Sequence, residues 1–349
     1  MTVYCGVDFH ARVQTVSWLD TNDGEIHQKE LHHQKDNVRG FYQQFTGEVI
    51  VGIEASGYSS WFEDMLEGLG HQVWIGDAGE IRRLARRRQK NDKRDANHIL
   101  DLMSKGEFPR VHRLSRESRE VLGQLRYRHR LVKMRTMATN CVKAIAIGAG
   151  LSDKRRLITG KGRSKLESVG LPSVFSEQCK RWLEVTDDLT TKIKAVEQWL
   201  EEQAQGDQRV ERLRTHPGIG LLTGLALVHT LEPVERFCST RKIAAYFGLD
   251  PMEDSSAERK QYGGVSKAGS RLVRFLLVEA GQTAAKRDPE LKIFYQRLRD
   301  KRKTAKAKVA VARKLAVRSF IMLRDQIDYS EFLRRGVEAR SSRTAGAAK

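Results

Sequence analysis

Five short apolar runs in the first 75 residues constrain the fold of this 349-residue chain more than any other feature. They cover residues 3–8, 13–19, 25–32, 49–54 and 71–75, and they are rich in β-branched residues or alternate between apolar and polar ones. Both patterns are typical of β-strands. Residues 37–45 and 59–69 have the spacing of amphipathic helices. The order predicts an α/β domain with three successive strands, followed by strands that alternate with helices.

Acidic residues lie where two of these predicted strands end. Asp8 ends the first run and Glu54 ends the fourth, while Asp92 and Asp95 stand three residues apart at a predicted helix start. Carboxylate oxygens are the ligands that hard divalent cations prefer, and two such ions stabilise both the attacking and the leaving oxygen of a phosphoryl displacement. We therefore predict that the four acids hold two Mg²⁺ ions. Taken singly, each acid also fits a solvent-exposed strand end or a surface ion pair.

The basic charge of the chain is segregated. Residues 1–81 contain four Lys or Arg against thirteen Asp or Glu, a net charge of −9. Because the whole chain has a net charge of +19, the remaining residues carry +28. The segments 82–94, 110–165 and 286–324 hold most of this excess. Such density predicts salt-dependent binding to nucleic acid. Solvated helix faces are the weaker alternative, and the basic stretches lack the aromatic face of helices that lie on membranes.

The remaining composition excludes several other classes. Four cysteines are scattered without a CxxC pair, which indicates neither a zinc site nor a disulfide framework. The chain enters a strand-like run directly, and its longest apolar stretch, near residues 219–228, is too short to span a bilayer. We expect a soluble cytoplasmic protein.

Two apolar stripes after residue 117 predict a pair of long helices. Their members recur at spacings of three and four residues, which is typical of a helical hairpin or an oligomerising arm. The first stripe consists of Leu131, Met134, Ala138, Cys141 and Ile145, and the second of Trp182, Val185, Leu189, Ile193, Val196 and Leu200.

The third part of the chain offers candidate contacts to nucleic acid. Gly218 and Gly220, in HPGIG, resemble the helix-hairpin-helix element, in which glycines let the backbone approach a phosphate. A plain turn between two helices explains the same residues. Lys267, Arg271 and Arg274, spaced along a predicted helix, are further candidates for phosphate contacts.

Several motifs together resemble a known family. The strand order and its acids resemble the RNase H-like fold of the Holliday-junction resolvase (RuvC) type. The set GVDFH, GIEASG, NDKRDA, HPGIG and GLDPMEDSSAERKQYGGVSKAGSR resembles the DEDD transposases of insertion-sequence family 110, a group that also contains the Piv/MooV DNA invertases. The likeness spans nearly the whole chain.

The resemblance implies a domain organisation. It consists of a RuvC-like catalytic domain (1–105), a helical coiled-coil linker (106–208) and a transposase domain with a serine loop (209–330). We predict a disordered tail from 331 to 349, because the chain ends in the polar stretch SSRTAGAAK.

The resemblance also implies roles for named residues. Asp8, Glu54, Asp92 and Asp95 match the family's magnesium-binding acidic tetrad. The family's nucleophile lies in a Ser-Gly pair shortly after a GL-x-P turn, which places it at Ser256 in this chain, where Ala257 replaces the glycine. Ser255, the alternative, fits the N-cap of a capping box.

The implied activity is cutting and rejoining of DNA through a serine nucleophile. The implied partners are DNA, a structured non-coding guide RNA of the mobile element and further copies of the chain, as a dimer or tetramer whose subunits share a composite site. Two other functions stay open: a RuvC-like nuclease or resolvase that uses water, and a non-catalytic nucleic-acid-binding protein.

Overall fold

The computed structural model describes residues 2–21, 24–34, 37–85, 92–151, 157–253, 262–301 and 304–347. Within these ranges, the side chains of residues 92, 93, 253, 262 and 339–347 are not described. The chain divides into two compact units, Met1–Arg113 and Leu114–Lys349.

The first unit is a mixed six-stranded sheet with helices. All five strands predicted from the sequence are confirmed, as are the helices predicted at 37–45, at 59–69 and at the Asp92 region. The structure contains in addition one helix and a short sixth strand that were not predicted. In chain order the elements are β1 (Thr2–Phe9), β2 (Val13–Asp20), β3 (Ile26–His32), α1 (Asn37–Gln43), β4 (Glu48–Glu54), α2 (Ser60–Gly68), β5 (Gln72–Gly76), α3 (Ala78–Leu84), α4 (Asp92–Ser104) and β6 (Arg110–Val111).

The strand order in the sheet is β3-β2-β1-β4-β5-β6. The first three strands pair antiparallel as a meander, whereas β4 pairs parallel with both β1 and β5. Apolar side chains cover both faces, with Tyr42 and Phe62 in the core on one side and Ile99 and Met103 on the other. The parallel centre of the sheet brings the ends of β1 and β4 to the same edge.

The second unit begins with a long antiparallel helical hairpin. Its helices are α5 (Arg116–Gly148) and α7 (Ser173–Ala204), with the short α6 (Gly160–Ser168) between them. Arg128 bonds Glu197 and Arg135 bonds Thr190, which shows that the two long helices run in opposite directions. The predicted helical pair is therefore present.

The predicted stripes cover only part of the buried face of this hairpin. Leu131, Ala138 and the later residues of the second stripe are buried, but Met134, Trp182 and Val185 are 53%, 39% and 42% exposed. Near the tip, the positions that α5 and α7 bury are instead Val142, Ala146, Cys179 and Thr186. A regular spacing identifies an apolar face, but the crossing of the partner helix decides which of its residues are covered.

The remaining elements share one core with the hairpin. Leu125 and Leu200 belong to the same buried cluster as Leu225 and Leu315, so the predicted linker and the predicted transposase domain form one unit here. The elements are α8 (Gln208–Arg214), α9 (Leu221–Leu231), α10 (Thr240–Tyr246), β7 (Pro251–Glu253), β8 (Tyr262–Val265), α11 (Arg271–Arg287), α12 (Pro289–Lys301), α13 (Thr304–Arg324) and α14 (Tyr329–Ala347).

The helix α14 corrects the predicted disordered tail for residues 331–347. Asp328 caps it by accepting a hydrogen bond from the backbone N–H of Glu331. Glu331 in turn pairs with Arg334 and Arg335 at 2.7 Å, at the spacings that stabilise an isolated helix. Capping and charge spacing thus supply helix stability in a polar composition.

No helix in the described part of the chain has the length and apolar character needed to cross a membrane.

A buried polar cluster joins four segments of the second unit. Asp288 is fully buried and accepts hydrogen bonds from the Arg318 guanidinium and from the Tyr329 hydroxyl, the latter at 2.8 Å. His216 is also fully buried, with Nε2 3.7 Å from the same carboxylate. Burial, reinforced by the positive charge of Arg318, lowers the pKa of His216 to about 4. The imidazole is therefore neutral in the folded protein at neutral pH.

This cluster predicts a loss of stability in mild acid. The folded pKa of His216 lies below its ordinary value of 6.5, so its contribution is fully present above pH 6.5 and is lost as the pH falls towards 4. We expect the free energy of unfolding to fall by about 2 kcal/mol between about pH 7.5 and pH 5. Urea unfolding at the two pH values measures it. His216→Asn should shrink this fall, and an exposed control, His32→Asn, should retain it; equal falls in all three proteins would contradict the assignment.

Candidate active site

Asp8 and Glu54 are neighbours at the carboxyl ends of two adjacent strands. The parallel ladder of β1 and β4 has Val7 opposite Ile53 as its last pair, so Asp8 and Glu54 occupy the next position of each strand. Adjacent strands lie about 4.8 Å apart, and residues in register project to the same face of a sheet. The two carboxylates therefore share one face at one edge.

Two glycines bring helix α4 close to that face. Gly6 and Gly52 stand opposite each other in the same ladder, two residues before the acids. A Cβ built on Gly6 would lie 2.4 Å from the backbone nitrogen of Leu100 and 2.5 Å from the backbone oxygen of Ala96. Because α4 approaches β1 so closely at Ala96, the preceding residue, Asp95, lies on the turn of α4 that packs against this strand. Asp95 is half-buried.

This close approach predicts a large effect for a single methyl group. In Gly6→Ala the new Cβ meets backbone atoms of α4, which cannot rotate away, so the helix must shift from the sheet. We expect a loss of about 3 kcal/mol in the free energy of unfolding. Gly40→Ala is the matched control, because a Cβ there meets nothing within 4 Å. If Gly6→Ala is as stable as that control, α4 does not pack on β1 as described.

Each strand-end carboxylate has a basic partner from its own unit. The Asp8 carboxylate lies 3.1 Å from Nε2 of His10, and its side chain is 15% exposed. The Glu54 carboxylate accepts a hydrogen bond from Nη2 of Arg82 at 3.1 Å, and its side chain is 32% exposed. A cation that bound both acids would have to displace or share these partners.

The donor set of this edge suits a hard divalent cation, but the described side chains do not complete a site. Carboxylate oxygens on neighbouring strand ends are of the right chemical type. Among the side chains that the structure describes, no three of His, Cys, Asp and Glu lie close enough together to hold a metal ion. Asp92 begins α4, and its side chain is outside the described set. A complete ligand set thus requires Asp92 or a rearrangement of His10 and Arg82.

The predicted nucleophile belongs to a β-hairpin of the second unit. Strands β7 and β8 pair antiparallel, with Pro251 opposite Val265. Their connection, residues 254–261, contains Ser255, Ser256 and Ala257 and lies outside the described residues. The base of the hairpin is closed by Ser266, whose backbone N–H donates to the Asp250 carbonyl at 3.0 Å and whose hydroxyl donates to the Asp250 carboxylate at 2.5 Å.

Arg274 holds the base of this hairpin in place. Its Nη1 donates to the carbonyl oxygens of Ala268 at 2.6 Å and Phe247 at 3.1 Å. Gly248, at φ +62°, allows the two segments to approach, because a Cβ there would lie 2.3 Å from the Ala268 carbonyl oxygen. The sequence pattern suggested a phosphate contact for Arg274, whereas the structure engages its guanidinium with the protein backbone.

The other predicted phosphate contacts divide into exposed and packed positions. Lys267, at φ +57°, and Arg271, the first residue of α11, are exposed and available to a ligand. Gly218, at φ +110°, packs against α11, since a Cβ there would lie 2.7 Å from the backbone oxygen of Ala280. Gly220 is exposed at the N-cap of α9. Contact of these residues with DNA stays a prediction, and helix packing alone accounts for Gly218.

Three residues beside the sheet edge formed by Asp8 and Glu54, the acidic edge, were not predicted: Gly6, His10 and Arg82. A signal existed for the first, because a glycine inside an apolar strand often marks close approach of another backbone, and GVD and GIE repeat that pattern. The pairing of Arg82 with Glu54 spans 28 residues and depends on the missed helix α3, so no local pattern could reveal it.

Comparison with known proteins decides the family. A model of the DEDD transposases of IS110 type, described as "Transposase", matches residues 5–146, and the model "Transposase IS116/IS110/IS902 family" matches residues 210–296. The chain belongs to the IS110 family of transposases. The first match contains Asp8, Glu54, Asp92 and Asp95, and the second contains the hairpin of β7 and β8.

Two transposases are similar to this chain over most of their length, and a third protein is similar over about half of its length. The "Probable family 20 transposase" of Pseudomonas aeruginosa is 27% identical over 291 residues, which covers 80% of this chain and 83% of that protein. The transposase for insertion sequence element IS1111A of Coxiella burnetii is 25% identical over 292 residues, covering 80% and 79%. The pilin gene-inverting protein of Moraxella bovis is 26% identical over 174 residues, covering 49% and 53%.

Membership in the IS110 family determines the general activity and fold. This transposase is an enzyme that acts on DNA in transposition. The DEDD domain implies an RNase H-like fold, with which the mixed six-stranded sheet is consistent. Transposases with this domain typically use divalent metal ions.

Proposed function

We propose that this transposase cuts and rejoins DNA with Ser256 as nucleophile and with Asp8, Glu54, Asp92 and Asp95 as the ligands of two Mg²⁺ ions. The observation that carries the proposal is the register of Asp8 and Glu54 at the carboxyl ends of adjacent parallel strands. It lies within the segment that matches the DEDD transposases. Bound Mg²⁺ would neutralise phosphate charge and lower the pKa of a bound hydroxyl.

The covalent step follows from the chemistry of serine. The Ser256 hydroxyl loses its proton as its oxygen forms a bond to the phosphorus of a DNA phosphodiester. The bond from phosphorus to one deoxyribose oxygen breaks, and that oxygen takes up a proton to become a free hydroxyl end. Because the phosphodiester energy is kept in the serine–phosphate bond, the reverse attack by a DNA hydroxyl rejoins the strand. Hydrolysis by water would not keep this energy, so the strand could not be rejoined by a reverse attack.

The fixed base of the β7–β8 hairpin, here called the serine hairpin, supports this role of Ser256. A nucleophile reacts efficiently only when it is held close to its target in the correct orientation. The Asp250–Ser266 bonds and the two carbonyls held by Arg274 fix the base of the β7–β8 hairpin. That base is therefore anchored to α11, beside the exposed cations Lys267 and Arg271.

The partners proposed for this enzyme are DNA, a structured guide RNA and further copies of the chain. The net charge of +28 beyond residue 81 supports binding of long polyanions. The guide RNA, and a dimer or tetramer in which the acids of one subunit serve the serine of another, rest on the family resemblance. Similarity to a pilin gene-inverting protein extends the possible rearrangements to inversion.

Strand joining separates the proposed function from its alternatives. The full chain is incubated with Mg²⁺, DNA carrying the joined ends of the mobile element, a target duplex and the non-coding transcript that flanks the gene. The proposal predicts recombinant strands that join element to target. Cut ends without joined strands would indicate a nuclease, and binding without any Mg²⁺-dependent change in the DNA would indicate a non-catalytic protein.

A further inference from the structure

The tip of the helical hairpin contains a polar groove that the proposed chemistry does not use. It has a volume of about 480 Å³ and lies between α5 and α7, next to the start of α6. Its lining is polar apart from Ile158 and consists mainly of basic and hydroxyl side chains. All of it belongs to the second unit. A helical hairpin needs no such composition for packing, which is done here by Val142, Ala146 and Cys179.

Three cations and one acid set the charge of this groove. Arg135, Lys143 and Arg163 line it, together with Asp187. Asp187 accepts two hydrogen bonds from Arg163, at 2.5 and 2.7 Å, so this pair is neutral as a whole. Arg135 and Lys143 are half-buried and leave the groove with a net positive charge of two. Half-buried cations in a concave surface suit an anion such as a phosphate group.

Four threonines give the groove a second chemical property. Each donates its hydroxyl hydrogen to the carbonyl oxygen four residues earlier in its own helix, at 2.8 Å. Because the hydrogen is used in this way, each hydroxyl oxygen can act towards a ligand only as an acceptor. The Thr190 oxygen already accepts one bond, from Nη1 of Arg135 at 3.4 Å, and keeps one lone pair for a ligand. A phosphate oxygen is itself an acceptor and gains nothing from it, whereas a ribose 2′-hydroxyl can donate to it. The four are Thr136, Thr139, Thr186 and Thr190.

The groove offers cations to a phosphate and acceptor oxygens to a 2′-hydroxyl. Phosphates and 2′-hydroxyls occur together in the RNA backbone, whereas DNA lacks the 2′-hydroxyl. We propose that this groove binds the sugar–phosphate backbone of an RNA strand. The inference deepens the RNA partnership in the proposed function and rests on it, and it assigns a location that is independent of the acidic edge and of the serine hairpin.

Neighbouring threonines of α7 provide a matched test. Thr190 lines the groove, whereas Thr191 is exposed outside it, and both hydroxyls donate to the carbonyl four residues earlier. Full-length Thr190→Val and Thr191→Val are compared by fluorescence anisotropy with a labelled single-stranded RNA and a DNA of the same sequence. We expect Thr190→Val to weaken RNA binding about fivefold and leave DNA binding unchanged, with Thr191→Val like the wild type.

A charge reversal tests the phosphate part. Lys143→Glu should weaken RNA binding at least about tenfold and reduce the slope of log affinity against log salt concentration by about one. The control is Lys180→Glu, which changes an exposed lysine of α7 outside the groove and should have a much smaller effect on RNA binding. Thermal melting confirms that each variant is folded.

The outcomes separate the two proposals. If the wild type binds RNA but Thr190→Val and Lys143→Glu match their controls, the groove is not the binding site. Equal loss of RNA and DNA binding in Thr190→Val would overturn its selectivity for ribose. If the wild type binds RNA no better than DNA and recombines without any transcript, the RNA partnership itself fails.

Discussion

Ser256→Ala is expected to abolish covalent attachment of the transposase to DNA while leaving DNA binding intact. Removal of a hydroxyl that forms the bond to phosphorus leaves no group to replace it, so strand cleavage should fall by about 10⁴-fold or more. The measurement uses end-labelled element DNA with Mg²⁺, resolved on a denaturing gel, where an adduct migrates with the protein. Binding of the same DNA without Mg²⁺ checks that the variant is folded.

Ser255→Ala is the matched control for this variant. It removes an identical hydroxyl one residue away, at the position that the sequence assigns to a helix cap, and should keep most of the adduct. Loss of the adduct in Ser255→Ala alone would move the nucleophile by one residue. Continued cleavage without an adduct in both variants would show that water attacks the DNA, as in a resolvase.

Asp8→Asn is expected to lower strand cleavage by about 10³-fold. Asparagine keeps the shape of the side chain but lacks the negative charge that a divalent cation requires, and loss of one metal-holding group costs about 4 kcal/mol of transition-state stabilisation. Since Asp8 lies in an otherwise apolar strand, its neutralisation should not lower the free energy of unfolding much. Initial cleavage rates at several Mg²⁺ concentrations measure the effect.

Asp101→Asn serves as control for the charge change. Asp101 is an exposed acid at the other end of α4, paired with Lys105 four residues later, and its replacement should leave cleavage within about twofold of the wild type. If Asp8→Asn cleaves DNA at a rate similar to that of the wild type, with the same dependence on Mg²⁺ concentration, Asp8 is not a catalytic residue.

Much of the first unit could be predicted from local sequence because its strands are short, apolar and separated by clear turn signals. The acids were identifiable for the same reason, since a charge at the end of an apolar strand is costly and therefore informative. The register that places Asp8 beside Glu54 depends on a parallel pairing between segments more than 40 residues apart. Sequence order makes that pairing plausible, but only the structure shows it.

Sequence patterns are least informative where one residue type serves two physical purposes. Arg274 and Gly218 have the composition of phosphate-binding elements, and the structure shows that Arg274 also fixes the base of a hairpin and that Gly218 packs against a helix. Met134 and Trp182 follow the apolar spacing of a buried stripe but are partly exposed near the hairpin tip. In each case the decisive partner is distant in sequence, so periodicity and motif alone could not identify it.

The basic partners of the two acids link the observed arrangement to metal binding. Arg82 pairs with Glu54, and His10 pairs with Asp8, each at 3.1 Å. Binding of divalent ions at this edge therefore requires both partners to move or to share the carboxylates, which gives a structural signature of metal binding that does not depend on catalysis.

The most direct measurement is a crystal structure of the full chain grown with Mn²⁺, which has a strong anomalous signal and in many enzymes replaces Mg²⁺. We expect anomalous density in contact with the carboxylates of Asp8 and Glu54, completed by Asp92 or Asp95, with the Arg82 guanidinium displaced from Glu54. Intact His10–Asp8 and Arg82–Glu54 pairs without manganese at this edge, in protein that cleaves DNA with Mn²⁺, would contradict a metal site at these strand ends.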